Sequence, residues 1–100
     1  MREDRQRLDK WLWFARFAKT RTLAAKLVTS GFVRVNGQRT DSAAKAVAVG
    51  DVITLALART TLVVRVEGLG QRRGPAPEAR QLYADLNEGE GMLVSEGDKG

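Results

Sequence analysis

The sequence predicts an α+β domain in which two N-terminal helices pack on a small antiparallel sheet, followed by a short C-terminal helix. Three observations predict it. Apolar residues recur at three- and four-residue intervals over residues 7–29, and the period falls to two after Gly31. A length of 100 residues leaves room for one modest core, and the 43% apolar content is that of a globular chain rather than a disordered one.

Residues 1–6 form a charged N-terminal arm. The first helix is expected over residues 7–19, with Leu8, Trp11, Leu12, Ala15 and Ala18 on its buried face and Asp9, Lys10, Trp13, Arg16 and Phe17 on the other. Thr20 is placed to cap a second helix over residues 21–29, because its hydroxyl oxygen accepts from a first-turn amide. That helix is expected to bury Leu23, Ala24, Leu27 and Val28 and to stop at Ser30-Gly31. Phe32-Val33-Arg34-Val35 then alternates as a strand into the tight turn Asn36-Gly37. Residues 38–49 read as irregular up to a second turn at Gly50-Asp51. Residues 52–57 and 61–67 are two β-rich runs, the second turning Leu62, Val64 and Val66 to one side. Gly68-Leu69-Gly70 ends the sheet and the predicted domain of residues 7–70. Residues 71–87 supply a basic, proline-containing linker and a helix over 77–86 carrying Leu82, Tyr83 and Leu86. Residues 88–100 are acidic and glycine-rich, the composition of a disordered tail.

The residue inventory excludes much chemistry. With neither histidine nor cysteine, a Ser-His-Asp or Cys-His arrangement, a disulfide and a His/Cys zinc site are impossible. No glycine-rich phosphate loop opens a helix, so no nucleotide site is indicated and no cofactor or metal is expected. The aspartates at 4, 9, 41 and 51 fall in cap, turn and ion-pair contexts, where structural roles are commoner than catalysis. An enzyme is not expected. The charged N-terminus is no signal peptide, and the longest apolar runs are too short to cross a bilayer, so a cytoplasmic protein is expected.

Charge points to a partner instead. Residues 1–45 carry eleven Lys or Arg against four acids, whereas residues 88–100 carry four acids against one lysine. Between Lys10 and Arg39 stand seven basic residues and no acid, although a solvated helix face normally mixes signs. Lys10, Arg16, Lys19, Arg21 and Lys26 belong to the helices or their junction, Arg7 stands at the entrance, and Arg34, Asn36, Arg39 and Lys45 follow in the first hairpin and its loop. A helical pair packed on the sheet brings several of these charges to one surface, where phosphates give affinity and register. Trp13 and Phe17 lie one helical turn apart beside Lys10. Segment 77–86 is expected to cover them with Leu82 and Tyr83, and stacking on unpaired bases is the alternative.

Arg7-Leu8-Asp9-Lys10-Trp11-Leu12, Thr20-Arg21, Ala25, Leu27-Val28, Gly31, Val33-Arg34-Val35-Asn36-Gly37 and Gly50-Asp51-Val52-Ile53 together resemble the RNA-binding domain first named in ribosomal protein S4. Residues 7–21, with Gln71-Arg72-Arg73, Glu78 and Leu82-Tyr83, further resemble the bacterial heat shock protein 15 family. The resemblance implies an αL-type RNA-binding fold, two helices and a small twisted antiparallel sheet. It implies binding to ribosomal RNA, with recycling of large ribosomal subunits that still hold tRNA and an unfinished peptide. By position it implies RNA contacts from Arg7, Lys10, Thr20, Arg21, Lys26, Arg34, Asn36 and Lys45; the charge argument adds Arg16 and Lys19. Longer members of that family continue into a basic C-terminal region, where this chain has its acidic residues 88–100. A monomer is expected. Two other readings stand beside this one: the targeting module of an RNA-modifying enzyme such as a pseudouridine synthase, and a protein-interaction module using Trp13, Phe17 and Tyr83.

Overall fold

A computed structural model describes residues 5–57 and 60–86. The expected acidic tail lies outside the described residues. The chain runs β1 (Arg5–Arg7), α1 (Leu8–Phe14), α2 (Arg21–Thr29), β2 (Val33–Val35), β3 (Gln38–Thr40), β4 (Ala46–Ala48), β5 (Val52–Ala56), β6 (Thr61–Val66), α3 (Ala76–Ala79), a 3₁₀ turn over Arg80–Leu82, and β7 (Tyr83–Asp85). One antiparallel sheet has the order β3-β2-β5-β6-β7, and β1 pairs with β4 in a separate two-stranded ribbon.

The alternation of side chains builds the core. Val33 and Val35, Ile53 and Leu55, and Val64 and Val66 all turn inward from their strands, where Leu8, Trp11, Leu12, Ala24 and Val28 meet them. Each fully buried aliphatic side chain contributes about 1.5–3 kcal/mol. Trp11 is completely buried, and its indole N–H is satisfied by the Gly68 carbonyl at 2.9 Å. The Gln6 side chain trades two hydrogen bonds with the Gly70 backbone, at 2.7 and 3.0 Å. Segment 68–70 is thereby pinned from both sides. A Cβ at Gly70 would stand 2.5 Å from the Phe14 ring, so only glycine lets the backbone approach this aromatic.

The predicted buried stripe of the first helix is observed, but the helix ends at Phe14, five residues early. Arg16 adopts a left-handed φ of 67°. Its amide donates to the Trp13 carbonyl and the Phe17 amide to that of Leu12, a Schellman stop made without glycine. An arginine in this conformation costs about 1 kcal/mol, offset by its guanidinium donating to the Gly74 carbonyl at 2.8 Å. The second helix starts and stops where expected. Thr20 Oγ1 accepts from the Leu23 amide at 3.0 Å, and Gly31, at φ 87°, closes the same six-residue loop through Val28 and Leu27. Leu23, expected in the core, is instead 46% exposed: α2 meets the core through Ala24 and Val28, leaving Leu23 on its flank.

Asn36 and Gly37 both carry positive φ (53° and 85°), the two-residue hairpin turn that matches strand twist. Two segments read as irregular are paired. Gln38–Thr40 is the hairpin's second strand, and Ala46–Ala48 pairs with Arg5–Arg7 of the expected N-terminal arm. Three-residue strands are too short to show a period of two. The helix expected over 77–86 shrinks to Ala76–Ala79 and one 3₁₀ turn, because Tyr83–Asp85 pairs with the open edge of β6. Tyr83 comes within 4.7 Å of the Phe17 ring, which in turn lies 6.0 Å from Trp11. The expected cover over Phe17 therefore exists. Trp13 stacks on the neighbouring Phe14 at 5.3 Å. No helix among the described residues is long and apolar enough to cross a membrane.

Candidate nucleic-acid interface

The N-terminal ends of α1 and α2 meet around one acid. Asp9, in the first turn of α1, is only 3% exposed. Its two carboxylate oxygens each accept from Arg7, at 3.1 Å to Nε and 3.1 Å to Nη2, a fork-shaped pair. Arg21, the first residue of α2, brings its Nε to 3.7 Å of the same carboxylate. Burial alone would raise this carboxyl. The Arg7 hydrogen bonds, the charges of Arg7 and Arg21 and the Lys10 amide outweigh that and hold it below the ordinary aspartate range. The Arg7 guanidinium is correspondingly raised by its bonds to Asp9. Asp9, expected on the outer side of its helix, is instead the buried post on which two arginines are fixed. Both arginines remain about half exposed, so their other donors face solvent.

Lys45 joins this end of the molecule through the backbone. Its carbonyl accepts from the Leu8 amide at 2.8 Å, and the next residue, Ala46, pairs with Arg7. Lys10 sits with its ammonium 5.8 Å from the centre of the Phe14 ring. Lys19 and Lys26 lie on another side, lining a groove with Phe17, Leu23, Leu27 and Phe32. Arg34 projects from the open face of the sheet between the buried Val33 and Val35. Among the described residues Lys10, Lys19, Lys26, Arg34 and Lys45 have no acidic partner.

Besides Arg7 and Arg21, three more of the expected contact residues have bonds within the fold. Thr20 caps α2, and Arg16 holds the Gly74 carbonyl. Asn36 donates to Asp51 at 3.3 Å while its carbonyl accepts from the Val52 amide at 2.9 Å, closing the hairpin against β5. The Arg72 and Arg73 of the linker are likewise engaged, with Glu78 at 2.7 Å and with the Ala18 carbonyl at 3.4 Å.

One cation left out of the expected contact set faces a member of it. Arg39 stands directly across the hairpin from Arg34, and its guanidinium lies against Gly31, where an added Cβ would meet it at 3.2 Å. Like charges directly opposite on paired strands repel, so this pair favours an anion between them. Its signal was in the sequence, since a two-residue Asn36-Gly37 turn forces 34 and 39 into register. Among the described residues no group of three or more His, Cys, Asp or Glu is placed to hold a metal.

A helical pair set on an antiparallel sheet is the architecture expected of an S4 domain, and the S4 domain family matches residues 6–53 of this chain. Relatives narrow the class. The chain is 43% identical to heat shock protein 15 of Escherichia coli K12 over 82 residues, which is 82% of this chain and 61% of that protein. It is 41% identical over 85 residues to the heat shock protein 15 homolog of Haemophilus influenzae, 85% of this chain and 64% of that one. The solved structure of Vibrio cholerae heat shock protein 15, described as trimeric, superposes with a TM-score of 0.78 at 44% identity, covering 84% of each chain. The chain belongs to the bacterial heat shock protein 15 family of S4-domain proteins. It spans less than two thirds of the length of these curated relatives.

Proposed function

We propose that this protein binds structured ribosomal RNA on the large ribosomal subunit, as a binder rather than a catalyst, in the recycling of stalled subunits that hold tRNA and an unfinished chain. The observation that carries the reading is the division of labour around Asp9. Two arginines are fixed in place with donors to spare, and five further cations, Lys10, Lys19, Lys26, Arg34 and Lys45, have no acidic partner among the described residues. Such a surface meets phosphates at set spacings, which is shape recognition rather than base reading. The contacts assigned are Arg7, Lys10, Lys19, Arg21, Lys26, Arg34 and Lys45, with Arg39 added. Thr20, Asn36 and Arg16 support the surface through their bonds within the fold.

Sedimentation with purified ribosomal subunits tests this. Wild type is expected to travel with the large subunit at low salt, and Lys26→Glu/Lys45→Glu to remain in the supernatant with an unchanged circular dichroism spectrum. Both side chains are exposed and have no bond or ion pair among the described residues, so the fold does not depend on their charge. Comigration that ignores the double change refutes the surface. A preference for subunits carrying peptidyl-tRNA over empty ones tests the recycling role. The free protein acts as a monomer in this reading, and sedimentation velocity separates that from a trimer like the one described for the Vibrio cholerae relative.

A further inference from the structure

A groove of about 520 Å³ runs along the outer flank of α2. Phe17, Leu23, Phe32 and Leu57 form its apolar wall, and the exposed Lys19 and Lys26 also line it. Leu23 and Phe32 are 46% and 48% exposed, a large apolar surface for a domain of this size to leave in water. Phe17, Leu27 and Leu57 pack against the core on its inner side, while Leu23 and Phe32 keep their outer faces in solvent.

We infer that this groove is the docking site of the chain's own segment 87–100, which binds there in cis and places its acids against Lys19 and Lys26. Three observations select this occupant. The first is where the segment begins. Strand β7 runs antiparallel to β6 with Tyr83 opposite Val66 and Asp85 opposite Val64, so the chain leaves β7 heading for the end of the sheet at Leu62 and Thr61. That end carries Leu57, whose amide donates to the Thr60 carbonyl, and Tyr83 already touches Phe17 on the groove wall. The second is composition. Segment 87–100 contains one apolar triplet, Met92-Leu93-Val94, with Glu88 and Glu90 before it and Glu96 and Asp98 after it. An apolar centre flanked by acids complements an apolar wall beside two lysines that have no acidic partner among the described residues. The third is reach: the six residues from Leu86 to Met92 span up to about 20 Å when extended, and β7 lies two strands, about 10 Å, from β5, which Leu57 follows directly.

The docking stands on these features alone; its consequence rests on the RNA reading above. Lys19 and Lys26 are among the proposed RNA contacts, so the docked acids compete with phosphates, and RNA displaces the segment from the groove.

The absence of cysteine makes the test clean. Ser95→Cys in the whole chain accepts a single nitroxide label next to the triplet. In dilute ¹⁵N-labelled protein the label is expected to broaden the amide signals of Phe17, Leu23, Lys26, Phe32 and Leu57, and Met92→Ser/Leu93→Ser/Val94→Ser is expected to abolish that broadening. Weak broadening spread evenly over the domain overturns the docking. So does broadening seen only when spin-labelled ¹⁴N protein is mixed with unlabelled ¹⁵N protein, which puts a second copy in the groove. In RNA binding at low salt, the triple serine variant, without the label, is expected to bind structured RNA about threefold to tenfold more tightly than wild type. Groove broadening with unchanged RNA affinity overturns the competition. A wild type that shows the broadening but binds no RNA overturns the RNA reading and leaves the docking intact.

Discussion

Replacing Asp9 by asparagine removes one negative charge from a protein expected to bind a polyanion, and simple electrostatics says affinity should rise. The structure says it should fall. Asp9 accepts two hydrogen bonds from Arg7 at 3.1 Å and lies 3.7 Å from Arg21. Asparagine keeps the shape but offers one acceptor and turns an NH₂ group toward a guanidinium. Removing the charge improves attraction to a phosphate about 7 Å away by roughly 0.5–1 kcal/mol in a water-like medium. Releasing two arginine side chains, which must then be ordered again on binding, costs about 0.5–1.5 kcal/mol each. The ordering term wins by about 1 kcal/mol, a roughly fivefold loss of affinity. Stability falls too. Hydrogen bonds to a charged group are worth about 1.5–3 kcal/mol, and because both arginines are half in water the loss is discounted to about 1–2 kcal/mol. That lowers the melting temperature by about 5–15 °C. Fluorescence anisotropy with a labelled fragment of ribosomal RNA, at a temperature where both proteins are folded, measures the first quantity, and thermal circular dichroism the second. Equal or tighter RNA binding by the asparagine variant would mean that Asp9 only screens, and the argument for fixed arginines would fail.

The affinity for structured RNA should fall steeply with salt, with a log–log slope of about −4 to −6 for five to seven phosphate contacts; a slope shallower than about −2 is incompatible with the surface described. The Asp9 pair also sets an acid limb. Its carboxyl titrates lower folded than unfolded, so its contribution is complete above the ordinary aspartate pKa of about 3.9 and disappears as pH falls through the lowered folded value. The stability gap between wild type and Asp9→Asn, followed by urea titration, is therefore constant near neutrality and closes below about pH 4; a gap that persists at pH 2 contradicts the pairing. Gly70→Ala drives a methyl into the buried Phe14 ring and should cost about 1–3 kcal/mol. Gly74→Ala, whose nearest contact is the far end of the flexible Glu78 side chain, should cost less, and chemical denaturation showing the reverse order would refute the packing argument.

Local signals made much of this architecture legible. The apolar stripe Leu8, Trp11, Leu12, the Thr20 cap, the Gly31 stop and the Asn36-Gly37 turn each rest on contacts within a few residues, and each stands where the sequence put it. What escaped depends on partners distant in sequence. Arg16 ends α1 because Gly74, 58 residues later, offers a carbonyl to its guanidinium. Tyr83–Asp85 is a strand because β6 has an open edge, and Arg5–Arg7 is one because Ala46–Ala48 lies beside it. The cation set was legible as charge and illegible as geometry. An unbroken basic run from Lys10 to Arg39 announces a polyanion, but which arginines are held and which lysines are loose is decided by a buried aspartate that the helical wheel placed outside.

That distinction follows residue type for most of the cations, with Arg34, which has no acidic partner among the described residues, the exception. Arg7, Arg16, Arg21, Arg65, Arg72 and Arg73 are each tied to a carboxylate or a carbonyl, and Arg39 lies against Gly31, whereas Lys10, Lys19, Lys26 and Lys45 have no acid partner among the described residues. The chemistry of the two groups explains the division. A guanidinium has five donors on a rigid plane, so one edge can be spent on the fold while the other still meets a phosphate. An ammonium is a point charge on a flexible stem, and tying it down removes most of what it offers. A surface that must match the spacing of a folded RNA backbone needs fixed points, and one that must capture that backbone from solution needs mobile charge. In the proposed interface the arginines around Asp9 supply the first and the lysines the second, which is why a single buried carboxylate would govern a basic surface.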